Sequence, residues 1–220
     1  MSKKHIYINH IFRFLLLFIL FTLFFFFSAF SYADTVSTDI ANSVFRLHVI
    51  ANSDSEEDQN LKYKVRDALL EYMNSLCATI SSKEDTINIA QNHIKDFENI
   101  AKQVIYDNGY NYDVTVEISQ CDFPTKNYGD VTLPAGMYDA LKVKIGSAMG
   151  HNWWCVMFPP LCFVDVSSGI VPESSKELLQ ENMSDEEYDL ITDSYTNSGT
   201  KFKFKVVELL ENIKIKLANN

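Results

Sequence analysis

Cysteine–histidine chemistry in this chain would draw on four cysteines, Cys77, Cys121, Cys155 and Cys162, and five histidines. His151 stands four residues before Cys155. A catalytic thiolate needs a base within hydrogen-bond reach and a polar, partly open setting that lowers its pKa. Here Cys155 lies between Trp154 and Val156, and Cys162 between Leu161 and Phe163. Apolar neighbours raise a thiol pKa instead. The C-x6-C spacing of Cys155 and Cys162 is too wide for zinc, whose paired cysteines stand about two to four residues apart. No G-x-S-x-G, H-E-x-x-H or P-loop pattern occurs. His48 is expected on a solvated strand face beside Arg46, and His93 off the apolar stripe of its helix. Asp113 and Glu117 alternate out of an expected strand, where solvated acids are ordinary. The sequence thus offers no catalytic residue, no metal set and no cofactor motif.

The densest chemistry is recognition chemistry. The stretch HNWWCVMFPPLCFVD, 151 to 165, holds both tryptophans, two of the four cysteines and two of the five prolines. Clusters of Trp, Phe and Met are hot-spot material at interfaces. The candidate partner-binding residues are therefore Trp153, Trp154, Phe158, Pro159 and Pro160; the competing reading is a buried core segment. Strand alternation would send Trp153 and Cys155 to one side and Trp154 and Val156 to the other. Cys155 and Cys162 read either as a local disulfide or as buried thiols.

Those residues need elements to hold them. The first thirteen residues carry Lys3, Lys4 and Arg13 and no acid, and Phe14 to Phe27 is apolar apart from Thr22. Ser31 and Ala33 then supply small residues before Asp34. A basic start, a short apolar run and a small-residue exit describe a secretory signal peptide cleaved between Ala33 and Asp34. A signal-anchor is the alternative if the segment stays uncleaved. Without residues 1–33 the chain has 16 basic against 29 acidic residues, a formal net charge of −13. That balance excludes nucleic acid as a partner, since its binding needs clustered Lys and Arg. Cysteines outside the cytosol favour disulfides, with three connectivities open to four.

The rest reads as one α+β domain, 34–166. FRLHVI is a strand, with Phe45, Leu47 and Val49 on one face. A helix starts at Ser53 or Asp54 and carries the stripe Leu61, Val65, Ala68, Leu69, Tyr72 and Leu76. A second starts at Ser82 and runs to Asn108-Gly109. Strict alternation makes Tyr112–Ile118 and Leu141–Ile145 strands, and WWCVMF a third beside them, ended by Pro159 and Pro160. The expected fold is a mostly antiparallel sheet of three to four strands covered on one face by two helices. Residues 167–200, rich in acids, read mainly as a solvated tether, with room for some helix around Ser184–Asp193. Residues 201–220 read as a basic amphipathic helix whose apolar face is Phe202, Val206, Leu209, Leu210, Ile213 and Leu217. Such a tail suits peripheral membrane contact, a partner, or its own domain.

Three long stretches, RLHVIANSDSEEDQNLKYKVRDALL, FPTKNYGDVTLPAGMYDALKVKIG and HNWWCVMFPPLCFVD, follow one another after the signal segment. Together they make residues 44–166 resemble the stage II sporulation protein R family of spore-forming bacteria. The resemblance implies a signal that catalyses nothing. Family members are exported from the forespore into the space between the forespore and mother-cell membranes. There they activate a membrane-embedded aspartic protease, stage II sporulation protein GA, which processes the precursor of sigma factor E. No contact residues carry over. The rival readings are a secreted cysteine-dependent hydrolase and a structural envelope protein.

Overall fold

The computed structural model describes residues 3–77, 80–162, 171–192, 205–211 and 213 of the 220-residue chain. Residues 163–166 at the end of the expected domain, residues 167–170 and 193–200 of the expected tether, and Phe202 and Leu217 of the tail lie outside the described residues. The architecture is α+β, as expected. A four-stranded sheet is built from β1 (Phe45–Ile50), β2 (Val114–Phe123), β5 (Gly136–Ile145) and β6 (Asn152–Phe158), in the order β2-β5-β1-β6. A separate hairpin pairs β3 (Lys126–Tyr128) with β4 (Val131–Leu133).

Two sheet pairings are antiparallel, β2 with β5 and β1 with β6, but β1 and β5 run parallel, Leu47 opposite Leu141 and Val49 opposite Val143. The strand WWCVMF is therefore not beside the strand that precedes it. β1 lies between them, paired with β5 on one side and β6 on the other, and its Phe45, Leu47 and Val49 are completely buried in the core under the helices.

One face of the sheet meets α2 (Glu56–Leu76), α3 (Lys83–Asn92) and α4 (Ile94–Asp107). The α2 stripe Leu61, Val65, Leu69 and Met73 and the α4 residues Phe97, Ala101 and Ile105 close this core. Ser55, two residues beyond the first start expected, caps α2 by accepting from the Asp58 backbone N–H at 3.2 Å. Ser82 caps α3 as expected, accepting from the Asp85 N–H at 3.1 Å. The single long helix read from Ser82 to Asn108 is two helices. They part at His93, whose backbone leaves helical geometry. His93 keeps a local network there, its Nδ1 2.7 Å from Asp96 and 2.9 Å from the Tyr72 hydroxyl.

The opposite face is also covered, which the two-helix expectation did not foresee. The end of α1 (Lys3–Ser43) lays Ala33, Val36, Ile40 and Ala41 into a second core with Val44, Phe123, Val131, Leu133, Tyr138 and Val156. Buried Lys83 ties this helix down, donating to the Ala41 carbonyl at 2.9 Å and pairing with Asp139 at 2.8 Å. Upstream, His10–Ser43 contains a window of mean hydropathy 2.5, long and apolar enough to cross a membrane. Phe12, Phe14, Leu17 and Phe24 there are all more than 60% exposed.

Residues 171–192, expected in the solvated tether, form α5 (Glu173–Asn182) and α6 (Asp185–Thr192). Their acids point outward while Leu179, Leu190 and Ile191 enter the second core. Apolar residues spaced for one helix face outweigh the acidic composition that suggested a tether. At 205–211 the chain is helical again, with Val207 buried in the same core and Leu209 61% exposed.

Candidate functional site

β6 places Trp153 and Trp154 on opposite faces of the sheet, as strand alternation requires. Trp153 packs with the first core, edge-on to Tyr63 at 5.4 Å, with the Arg66 guanidinium 4.3 Å from its ring centre. Trp154 packs with the second, stacked on His48 at 5.9 Å. The Lys126 ammonium sits 4.9 Å from the Trp154 ring centre, within cation–π range. Both indoles are half-buried. Both indole N–H groups are shielded from solvent with no acceptor among the described residues.

These residues line a cavity of about 430 Å³ between β6 and β3. One wall is Asn152, Trp153, Trp154 and Cys155 of β6; the other is Lys126, Asn127 and Tyr128 of β3. At its floor the Tyr128 hydroxyl donates to the Trp154 carbonyl at 3.4 Å and accepts from Arg46 Nη2 at 2.7 Å. Leu161 and Cys162 close one end. Cys155 and Cys162 form a disulfide, with Cα atoms 5.3 Å apart. Closing so small a loop stabilises by about 2.5 kcal/mol in the chain-entropy picture. It also fixes the chain's return after Pro160 against β6. Cys77 and Cys121 are free thiols, and burial pushes the Cys77 thiol up.

Of the five expected contact residues, Trp153 and Trp154 reach the cavity. Phe158 is buried in the first core, Pro159 is buried as well, and only Pro160 is exposed. Phe158 faces inward because it continues the in-pointing set of Cys155 and Met157 past the bulge opposite Phe45 and Arg46. Phe158 and Pro159 therefore shape the turn and present little surface in this structure. The sequence reading missed Lys126 and Tyr128. The Gly129-Asp130 turn, with Gly129 at φ 66°, was the available signal for a hairpin.

His48 and Arg46 are buried, not solvated. Arg46 is fully enclosed, its guanidinium 3.9 Å from the Phe123 ring centre and 4.6 Å from that of Tyr138. Its Nε and Nη1 have no acceptor among the described residues. His48 donates from Nε2 to Asn152 Oδ1 at 2.7 Å. Burial holds its pKa below the usual value; the Asn152 bond opposes this, and Lys142, Arg46 and Lys144 add to it.

His151 and Cys155 do not form a catalytic pair, because the Cys155 sulfur is bonded to Cys162. His151 instead binds Asp54, Nδ1 to Oδ1 at 2.5 Å, with its backbone N–H on the same oxygen at 2.6 Å. This contact belongs to a lock between the loop after β1 and the β5–β6 turn. Asn52 Oδ1 accepts from the Ser147 N–H at 2.9 Å, and Asn52 Nδ2 donates to Asp58 at 2.8 Å. A Cβ at Gly150 would overlap the Ser53 carbonyl, so glycine is required there. The lock sets the height at which β6 begins, and so the position of both tryptophans. No group of three or more His, Cys, Asp or Glu suited to a metal occurs among the described residues.

Comparison with known proteins gives a consistent result. The family model described as stage II sporulation protein R matches residues 41–168. A curated protein of Bacillus subtilis (strain 168), "Stage II sporulation protein R", is 33% identical over 188 residues, covering 79% of this chain and 83% of its own length. No solved structure matches.

Proposed function

The chain belongs to the stage II sporulation protein R family, and we propose on that premise that it is an exported signal which activates a protease by contact. In this reading it crosses the forespore membrane. It then meets the external part of a membrane-embedded aspartic protease, stage II sporulation protein GA, in the mother cell. The protease thereby turns to its active arrangement and processes the sigma-E precursor. For binding to shift that equilibrium, the signal must bind the active arrangement more tightly than the inactive one.

The observation that carries the reading is the β6–β3 cavity. It holds both tryptophans of the chain between two strand edges, next to no pairing of nucleophile and base. The N-terminal apolar helix is compatible with export or anchoring.

The test is co-expression with the protease and the sigma precursor in a non-sporulating host. Wild-type chain should yield processed precursor and its omission should not. Trp154→Ala should remove processing while the protein is still exported and its disulfide formed. A well-folded, exported Trp154→Ala protein that activates at the wild-type level would end the claim that this cavity is the contact.

A further inference from the structure

We propose that the β6–β3 cavity takes an extended acidic segment of the partner protein, added as a strand along the open edge of β6. The proposal rests on the contact reading above and adds to it the form and charge of what is bound.

The form follows from the two walls. β6 ends the four-stranded sheet, with β1 on one side and no strand on the other among the described residues. β3 is paired only with β4. The free edge of β6 therefore presents backbone groups outside any ladder among the described residues, although the Trp154 carbonyl already accepts from the Tyr128 hydroxyl. Such an edge is a template for one more strand, the backbone supplying affinity and alternate side chains supplying selection. The four β6 residues along the cavity, Asn152 to Cys155, offer roughly 13 Å of edge at a strand rise of about 3.3 Å per residue.

The charge follows from the lining. The chain carries 29 acidic against 19 basic residues, yet the sole charged residue lining this cavity is Lys126. Its ammonium rests on the Trp154 ring and makes no ion pair among the described residues. The indole N–H groups of Trp153 and Trp154 lack acceptors. The unpartnered side-chain groups at this site are thus a cation and indole donors, while the open edge of β6 offers backbone donors and acceptors alike. A carboxylate on the incoming strand satisfies Lys126 at a half-buried site, where an ion pair is screened less than on the open surface. A basic segment would meet Lys126 in a cavity whose described lining holds no acid to offset it.

The test uses the full chain in the same co-expression host. Lys126→Glu should lower precursor processing about tenfold or more, equivalent to ~1.4 kcal/mol, at unchanged export and disulfide content. Changing each external Asp or Glu of the protease singly to Lys should identify one change that restores processing with Lys126→Glu. A benzoylphenylalanine placed at position 127 should crosslink to that same segment. Wild-type processing by Lys126→Glu, with Trp154→Ala inactive, overturns the acidic strand and leaves the contact reading standing. Wild-type processing by both variants overturns both. Loss with Lys126→Glu that no partner change restores, or a crosslink that closes within the chain onto residues 163–170, also overturns the acidic strand.

Discussion

His48 shows how far a single side chain's environment can be misread from its neighbours in sequence. Beside Arg46 on the face of β1 opposite Phe45 and Leu47, it has the signature of a solvated strand position. In the fold it is 8% exposed, because the end of α1, the β3–β4 hairpin and Trp154 cover that face. The alternation of β1 was legible; the cover was not, since it comes from segments remote in sequence. The burial has a consequence for stability. His48 titrates below its ordinary value of 6.5 in the folded chain, first because burial disfavours the charged ring. Between the folded and unfolded values the unfolded chain holds a proton that the folded chain does not. Stability from this group is therefore complete above about pH 6.5 and is lost as pH falls toward the folded value. Denaturant midpoints at pH 7.5 and pH 5 should differ less in His48→Gln than in wild type. Equal pH slopes in the two proteins would show that His48 does not contribute.

At the level of elements, periodicity located the helices that carry a long apolar stripe and misjudged the short or composite ones. The stripes of α2 and α4 were readable because both fill one continuous core. The break at His93 was not, since the apolar spacing runs on across it. β3 and β4, three residues each, are too short to show a period, and α5 and α6 hide their apolar residues among seven acids. The parallel pairing of β1 with β5 joins segments about ninety residues apart, Arg46 opposite Ala140; local spacing carries no trace of it. The largest omission was the end of α1, whose residues 34–43 were counted in the domain but assigned to no element. Ile40 there is fully buried in the second core. Ile40→Ala should cost about 2–5 kcal/mol, measured by denaturant unfolding of the full chain in detergent. A loss below about 0.5 kcal/mol, the range of surface changes, would mean that this helix merely rests on the sheet.

On the scale of the whole molecule, two cores share one sheet, and only the first was visible in the sequence. The second draws on the end of α1, the hairpin, α5, α6 and the helical stretch around Val207. Each contributes a few residues and none announces itself. The same dispersal made the candidate site half legible. Its two tryptophans stood out by composition, whereas Lys126 and Tyr128 reach it only through that second layer. Under the proposed export, α1 sets an order of events. The bond after Ala33 lies inside an unbroken helix, and Ala33 has no exposed surface. A peptidase that works on extended, accessible chain can reach such a bond only where the structure opens locally. Pulse-labelled chains should therefore be cut during translocation, whereas folded full-length protein given the same peptidase in detergent should stay whole. Efficient cutting of the folded protein would show that the helix end undocks readily. Release and tethering thus become the two finishes of one race, with folding closing the gate behind whichever form arrives first.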